Sequence, residues 1–441
     1  MKSRFFSLTL TLALIVLTSA ALTHTVRAQK MDSIERDRLT SMLKGLKDEV
    51  KKNYYDPKYH GVDLDARFKQ AEDRLKQVQS TGQGFAVIAQ VLLDFDDSHL
   101  FFLPPATNLE VEYGWRMQMI GDKCFVIAVK PKSDADAQGL KPGDQILTVE
   151  GFKPTRKDLW KMQYSFNVLQ KKSALNVVAL SPGSEQPRQL QIVSKVTKMP
   201  NVLNWETLFV KMNDMFQDSP NQEHLFKRVG NTVIWRMPSF AFDPDQVGDL
   251  MSRHVAGAAT LVLDLRANGG GYVKTLERLA GYFFDKDVKI ADVKGRKALD
   301  PLKAKAEPRE AFTGKVIVLV SSRSGSAAEI FARLMQIEKR GTVIGDTSAG
   351  AVMQAIRTDD ETGSGDVSIY YGASITNADV IMGDGKSLEH VGVVPDEVVL
   401  PTGEDLQNGR DPVIAKAVEM SGARISPEDA GRFFPYVWDN K

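Results

Sequence analysis

The spacing of apolar residues changes twice along the chain. Between Asp32 and Leu93, apolar residues recur every three or four positions, which predicts amphipathic helices. Turn signals separate three such segments, RLTSMLKGLKDEVKKNYY, ARFKQAEDRLKQVQ and GFAVIAQVLLDF. The segment DFDDSHLFFLPP, which we predict to be a turn, closes this helical part.

Residues 111–197 follow a second pattern, and the rest of the chain follows a third. The second pattern consists of short β-type runs between turn residues: CFVIAVK, QILTVEG, ALNVVAL and RQLQIVSK. From about Val229, strand-like runs alternate with helical spacing, which predicts an α/β core. The strands are NTVIWRMPSF, TLVLDLR, KVIVLVSS and GTVIGD, and the helices include KTLERLAGYFF, AAEIFARLMQIEK and DPVIAKAVEMSG.

These patterns predict a multidomain α+β protein. We place an N-terminal helical domain at 29–108, a β module at 109–198 and an α/β core domain at 199–441. Residues 1–28 have the composition of a secretory signal peptide, with Lys2 and Arg4 before an apolar run and Ala28 at the predicted cleavage point. An uncleaved membrane anchor is the alternative, because the apolar run is long. We therefore expect an exported protein, periplasmic or secreted, with no membrane span after the signal is removed.

Charge and cysteine content narrow the class of protein further. The chain has 57 Lys and Arg against 56 Asp and Glu, and loss of residues 1–28 would leave a net charge of about −2. Nothing in this balance indicates a nucleic-acid partner. The single cysteine, Cys124, lies in an apolar run and is expected to be buried, so no intrachain disulfide forms.

The segment SDADAQGLKPGDQILTVEG, residues 133–151, resembles part of a PDZ domain. Gly139 can end a short helix and Pro142-Gly143 can form the turn before a strand. A PDZ domain holds the terminal carboxylate of a peptide on backbone N–H groups of a loop. By this resemblance the loop corresponds to Tyr113, Gly114, Trp115 and Arg116, which we place just before the first strand of the module. A structural module without a ligand is the alternative.

Four serines lie where the predicted strand KVIVLVSS meets the predicted helix AAEIFARLMQIEK. Ser326 and Glu329 have the spacing of a capping box, which would be a purely structural role. A serine at the start of a helix is also suited to be a nucleophile, because the free N–H groups of the first turn can stabilise an oxyanion. A second predicted strand ends in DLRANGGG, whose glycines allow a close backbone approach to a bound carbonyl. The spacing is not that of a phosphate-binding loop.

The PDZ-like segment, DLRANGGG and the serine junction are accompanied by three further motifs, VIWRMPSF, GDTSAG and SLEHVGVVPD. All of them occur in the order found in the C-terminal processing peptidases and the tricorn core protease. The chain resembles that family from about residue 90 to 400. The resemblance implies a serine peptidase with a crotonase-like ββα core. It assigns Ser326 as nucleophile, and it assigns Ala327 with Gly270 or Gly271 as the oxyanion hole. It does not decide between the two glycines.

The base differs from that of the processing peptidases, which use a lysine where this chain has Ala351. The tricorn-type branch uses a histidine in a Ser-His pair, and Ser98-His99 matches it. By this resemblance His99 is the general base, with Ser98 and Glu389 orienting its ring. His390, next to Glu389, is the rival base.

No HExxH motif or closely spaced His and Cys cluster occurs, and DFDD lacks the spacing of an EF-hand, so we expect no metal and no cofactor. The expected partner is a peptide or protein substrate, with homo-oligomer formation left open. A non-catalytic protein that binds peptides or apolar ligands on the same fold is the alternative function, and a scaffold in an exported complex is a third.

Overall fold

The N-terminal helices form where the apolar spacing predicts them. The computed structural model describes residues 31–198, 223–364 and 367–438, so the predicted signal peptide lies outside the described residues. The helices are α1 (Ser33–Asn53), α2 (Leu64–Leu75) and α3 (Thr81–Leu93). Asp32, Asp63 and Ser80 cap their N-termini by accepting backbone N–H groups.

The segment predicted as a turn after α3 contains a short strand, so that prediction is wrong in part. Strand β1 (Phe101–Leu103) pairs antiparallel with residues 372–374 of a long strand in the C-terminal half. Phe102 is fully buried against Phe85, with 5.8 Å between ring centroids. This buried strand fixes the N-terminal helices, and the residues just before it, to the rest of the protein.

The middle of the chain folds as a β module. Its five-stranded sheet has the order β3-β4-β5-β6-β7, and a separate pair, β2 and β8, joins its two ends. The strands are β2 (Leu109–Glu112), β3 (Trp115–Ile120), β4 (Lys123–Val129), β5 (Gln145–Val149), β6 (Ala174–Leu180), β7 (Arg188–Val193) and β8 (Lys195–Lys198), and the helices are α4 (Asp134–Ala137) and α5 (Leu159–Tyr164). Cys124 is buried, as predicted.

Strand β3 was not predicted, and it changes the position of the proposed peptide loop. Tyr113 and Gly114 precede the strand, but Trp115 and Arg116 already belong to it. Trp115, Met117 and Met119 point into the core of the module, while Arg116 and Gln118 lie on the other face of the strand. Buried and partly exposed side chains therefore alternate along β3, as expected for a strand with one buried face. Gly114 adopts a φ of 74°, which favours glycine.

A mostly parallel sheet forms the centre of the C-terminal part, with the order β18-β15-β14-β11-β10-β9. All neighbouring strands are parallel except β9 and β10. The strands are β9 (Leu225–Val229), β10 (Thr232–Arg236), β11 (Thr260–Asp264), β14 (Lys315–Val320), β15 (Thr342–Gly345) and β18 (Glu397–Val398). Both faces are covered, since Leu261 and Leu263 belong to one apolar cluster and Val262 to the other. This explains why the strands are continuous apolar runs.

Helices pack on both faces of this sheet. They are α6 (Gln246–Leu250), α7 (Val273–Gly281), α8 (Ala327–Ile337), α9 (Gly403–Gln407), α10 (Pro412–Met420) and α11 (Pro427–Gly431). Helices α7 and α8 contribute to one apolar cluster, while α10 and α11 contribute to the other. The predicted strand and helix alternation of the core is therefore confirmed.

A second sheet, which the apolar pattern did not predict, joins the N-terminal strand to the core. Its order is β1-β17-β12-β13, with β16 paired to β17 as a long hairpin. The additional strands are β12 (Val288–Gly295), β13 (Leu302–Ala304), β16 (Met353–Ser364) and β17 (Val367–Met382).

The β module contacts the core close to the junction between β14 and α8. The Arg156 guanidinium donates to the Asp346 carboxylate and to the Thr347 carbonyl. The Ser322 hydroxyl, in the loop after β14, donates to the carbonyl of Met119 in β3. Within the ranges given above, no helix combines the length and apolar character needed to cross a membrane.

We expect Phe102→Ala to destabilise the protein by about 3–5 kcal/mol, because it leaves a cavity under the N-terminal helices. Chemical unfolding, with hydrogen exchange of α3 as a local measurement, would test this. Ile34→Ala is the matched control, since Ile34 is 52% exposed at the start of α1 and its truncation should change the free energy of unfolding by less than about 0.5 kcal/mol. Equal effects of the two substitutions would contradict the role of β1 as an anchor.

Candidate active site

Ser326 lies at the N-terminus of α8, after the loop that follows β14. It forms the predicted capping box with Glu329. Its φ of 52° and ψ of −119° are unusual for a residue with a side chain. Such a conformation costs about 1–3 kcal/mol and persists only where the surrounding structure enforces it.

Glu329 is more than a helix cap, because it holds the loop 346–351 against the start of α8. This fully buried carboxylate accepts four hydrogen bonds. The donors are the Ser326 N–H at 3.0 Å, the Ser348 hydroxyl at 2.6 Å, the Gly350 N–H at 2.7 Å and the Ala351 N–H at 3.0 Å. Burial nevertheless raises the pKa of Glu329 to about 7.

The glycine loop after β11 packs directly against Ser326. A Cβ atom on Gly270 would lie 2.6 Å from the Cβ of Ser326 and 3.0 Å from the nitrogen of Ala327, so this position requires glycine. The Gly270 N–H already donates to the Asn268 side chain at 2.9 Å. Within the described ranges, the N–H groups of Gly271 and Ala327 have no hydrogen-bond partner. Two unpaired donors therefore flank the strand-to-helix junction.

The end of β11 is fixed by charged side chains. Arg266 lies between Asp264 and Asp411 and donates to both carboxylates. Burial alone would raise the pKa of Asp264, but the Arg266 guanidinium holds that pKa below its usual value. The carbonyl of Arg266 accepts a hydrogen bond from Ser321, so β11 and the loop before Ser326 are locked together.

Ala351 occupies the position of the missing lysine and lies beside the candidate nucleophile. Its carbonyl accepts the Ser326 N–H at 2.9 Å. Over the part of the chain that the structure describes, no Lys or Arg side chain hydrogen-bonds to Ser326, Ala351 or Glu389. The geometry thus gives no support to a lysine base at this junction.

The structure brings Ser98, His99 and Glu389 together although they are far apart in sequence. The Ser98 hydroxyl lies 2.8 Å from Nδ1 of His99 and donates to Oε2 of Glu389 at 2.9 Å. Glu389 also accepts the N–H groups of Ser98 and Val352, each at 2.9 Å. Val352 follows Ala351, so the same carboxylate connects the His99 loop to the backbone next to Ser326.

The hydrogen bonds around Ser98 determine which nitrogen of His99 carries the proton. The Ser98 O–H is used as a donor to Glu389, so its oxygen must accept from Nδ1–H of His99. Nε2 is then the acceptor, which is the form that a general base needs. Burial lowers the pKa of His99 and so keeps the ring neutral, although Glu389 and Asp97 act in the opposite direction. Among the residues that the structure describes, no hydrogen bond joins His99 to Ser326.

Asp97 is a site residue that the sequence analysis missed. It is 3% exposed and accepts the His99 N–H at 2.9 Å, the Tyr54 hydroxyl at 3.0 Å and the Thr376 hydroxyl at 2.7 Å. It therefore ties the backbone of His99 to α1 and to β17. Its place directly before Ser98-His99, in a run of acidic residues, was the signal that could have identified it.

The rival base and the proposed peptide-binding residues lie outside the hydrogen-bonded group around Ser98 and Glu389. His390 is exposed, and its Nε2 lies 2.7 Å from the carbonyl of Asp96 and 3.6 Å from Glu389. Tyr113 and Trp115 are buried in the β module, while Arg116 is partly exposed on β3. The described residues include no group of three or more His, Cys, Asp or Glu arranged to hold a metal ion.

Two family profiles match the chain. Residues 232–399 match the description Peptidase family S41, and residues 109–181 match the PDZ domain. A C-terminal processing peptidase of Tetradesmus obliquus, described as chloroplastic, is 26% identical over 383 residues, which are 80% of this chain and 76% of the relative. The carboxy-terminal processing protease CtpB of Bacillus subtilis is 27% identical over 248 residues, which are 55% of this chain and 47% of the relative.

A solved structure of mature CPAF complexed with lactacystin has a TM-score of 0.60 and 14% sequence identity, over 85% of this chain and 96% of that chain. At this identity the likeness shows a shared fold. The α+β fold class and the family resemblance predicted from the order of the motifs are confirmed. The chain is therefore a serine-type peptidase whose residues 232–399 match peptidase family S41, with a PDZ domain at residues 109–181 ahead of this region.

Proposed function

We propose that this peptidase uses Ser326 as its nucleophile and His99 as its general base, and that it cleaves peptides or proteins whose C-terminal tail binds the PDZ domain. The observation that carries the proposal is the chain of hydrogen bonds from Nδ1 of His99 through Ser98 to Glu389. This chain leaves Nε2 as a proton acceptor without any help from a lysine. Export is part of the same proposal and rests on the composition of residues 1–28.

In the proposed reaction, the Ser326 oxygen attacks the substrate carbonyl while its proton moves to Nε2 of His99. The N–H groups of Gly271 and Ala327 would stabilise the negative oxygen of the tetrahedral intermediate. We assign Gly271 rather than Gly270 because the Gly270 N–H is already used by Asn268. The His99 proton then passes to the leaving amine, and a water molecule releases the acyl group from Ser326 by the same steps.

The proposal requires Nε2 of His99 and the Ser326 hydroxyl to come within hydrogen-bond reach when substrate binds. Catalytic hydrogen bonds in free enzymes are often long and tighten in the substrate complex. The two residues sit on separate parts of the chain that Glu389 links, because this carboxylate accepts hydrogen bonds from both Ser98 and Val352. Ser98 and Glu389 orient the ring, and Asp97 fixes its backbone.

Tail binding is proposed for the Tyr113–Arg116 region. Gly114 precedes β3, which is the edge strand of the module's sheet, so a peptide could add to this edge in the PDZ manner. The buried Tyr113 and Trp115 would shape the loop from within, while backbone groups contact the ligand. The far end of β3 reaches the core near Ser322, which would direct the peptide towards the candidate nucleophile.

We expect a fluorophosphonate probe to label the wild-type protein at Ser326 and to leave Ser326→Ala unlabelled. His99→Ala should reduce the rate of labelling and of peptide hydrolysis on the order of 10³-fold or more, because the base is lost. His390→Ala is the matched control and should keep most of the activity, since His390 is exposed. The rates would be measured by gel fluorescence and peptide turnover. Loss of activity in His390→Ala with retention in His99→Ala would reverse the assignment.

The pH dependence of kcat/KM should reflect the lowered pKa of His99. Activity requires neutral His99, so it should fall on the acid side with an apparent pKa below the usual 6.5. Glu389→Gln removes a charge that raises this pKa, so the acid limb should move to still lower pH while the plateau falls by about 10-fold or more. Peptide turnover measured between about pH 4 and 9, with circular dichroism to confirm that the protein is folded at each pH, would test this. An acid limb that moves to higher pH would contradict the proposed geometry.

Glu329→Gln should destabilise the junction by about 1–3 kcal/mol, because the new amide group would place donors against N–H groups that now have an acceptor. Because burial raises the folded-state pKa of Glu329 from 4.5 to about 7, the wild-type protein loses stability as the pH rises through this range, so the difference should be largest at about pH 5 and should narrow as the pH rises above 7. Thermal unfolding at several pH values would measure it. Glu338→Gln, at an exposed position at the end of α8, is the control and should have little effect.

A further inference from the structure

The segment Phe434–Trp438, which we call the aromatic segment, extends from the core to the PDZ domain. At its start, the Arg236 guanidinium donates to the carbonyl of Phe434 at 3.0 Å. At its end, the ring of Trp438 lies 5.5 Å from the guanidinium carbon of Arg116 and 5.9 Å from Nζ of Lys130. Both distances are those of cation–π contacts.

The aromatic segment presents alternate side chains to this surface. Tyr436 and Trp438 are partly buried, and their ring centroids are 4.9 Å apart. Pro435 and Val437 are exposed, and Val437 keeps 53% of its surface accessible. An extended peptide that contacts a protein along one side shows this alternation.

The surface under Trp438 lies at the end of the sheet where we place the peptide loop. Arg116 is the second residue of β3, and Lys130 directly follows β4. The backbone N–H of Lys130 donates to the carbonyl of Gly114 at 2.8 Å, and the Lys130 ammonium pairs with the Glu112 carboxylate at 2.7 Å, so this side chain is held beside the loop. We call Arg116 and Lys130 the cationic platform.

The aromatic segment also passes the residues that precede the candidate nucleophile. Arg323 lies three residues before Ser326. Burial and, to a smaller extent, the nearby charge of Arg116 lower the pKa of Arg323 to about 9, whereas Tyr436 acts in the opposite direction. The aromatic segment starts on the core at Arg236 and ends on the PDZ domain at Arg116 and Lys130, so it spans from one domain to the other.

We propose that the cationic platform is a binding site for an aromatic side chain of a bound peptide, and that the aromatic segment occupies this site in the free enzyme as an internal competitor of the substrate. A substrate with an aromatic residue near its tail would displace Trp438 and free the contact between the PDZ domain and the loop before Ser326. This inference rests on the proposed binding of substrate tails, and it adds the residue class that is recognised and the segment that must leave.

Peptide binding can be measured without hydrolysis if the full chain carries the substitution Ser326→Ala. The probe is a fluorescent peptide with the sequence of residues 432–438, RFFPYVW, blocked at both ends so that no terminal charge contributes. We expect Trp438→Ala to increase the affinity for this probe by roughly 10-fold relative to the Ser326→Ala parent, because the vacated platform offers two cation–π contacts. Fluorescence anisotropy would measure the dissociation constants.

Two further variants separate a specific site from general loosening. Val437→Ala changes an exposed neighbour in the same segment and should leave the affinity as in the parent. Adding Arg116→Met to Trp438→Ala keeps the apolar stem but removes the charge, and it should return the affinity to the parent value or below. Equal affinity in the parent and Trp438→Ala, or a gain that survives Arg116→Met, would overturn the proposal.

A kinetic measurement distinguishes this inference from the proposed function. In the protein with Ser326 intact, Trp438→Ala should lower KM for a peptide with an aromatic residue near its tail by roughly 10-fold and leave kcat unchanged. If neither the wild type nor Trp438→Ala hydrolyses the peptide, but Trp438→Ala still increases the affinity for the fluorescent probe, the proposed catalytic function is wrong and the proposed binding site on the platform is supported. If hydrolysis is normal and KM does not change, the platform is overturned and the catalytic function stands.

Discussion

The carboxylate of Glu389 joins two parts of the chain that are far apart in sequence. It accepts two hydrogen bonds from Ser98 and one from Val352, and Ser98 is 291 residues away from it in sequence. The loop that carries His99 and the backbone beside Ser326 are therefore connected by one side chain. The pairing of β1 with β17 holds the same loop from its other end. Between these two restraints, the imidazole has a fixed tautomer and little freedom to rotate.

The site is organised mainly by carboxylates that accept backbone N–H groups rather than by ion pairs. Glu329, Asp97 and Glu389 each receive three or more hydrogen bonds, and most of these come from the backbone or from hydroxyl groups. A buried carboxylate that satisfies several donors rigidifies its surroundings, because moving any one of them leaves an unpaired polar group. On the assignment proposed above, these hydrogen bonds orient His99 as the general base, so no lysine is needed at the position of Ala351.

Strong periodicity made most of the fold predictable from the sequence. The three N-terminal helices are long segments with regular apolar spacing, and the central parallel strands are short continuous apolar runs that alternate with helical segments. Strands β3 and β16 were missed because charged and polar residues interrupt their alternation, as in WRMQMI and MQAIRTDDETGS. The strand β1 was missed because its partner, β17, is distant in sequence and nothing local indicates the pairing. At the site, the motifs indicated Ser98, His99, Ser326 and Glu389, but the anchoring by Asp97 and the use of the Gly270 N–H depend on contacts that no spacing reveals.

The order of the site residues along the chain has a consequence for biosynthesis. His99 is made early, Ser326 much later, and Glu389 near the end, with the whole PDZ domain between the first two. Domains generally fold in the order in which they leave the ribosome. A nascent chain that has exposed only its helical part and PDZ domain could therefore bind a peptide tail before it could cut one. On the assignments proposed above, hydrolysis would begin only after Glu389 has left the ribosome, which would protect the growing chain from its own activity until then.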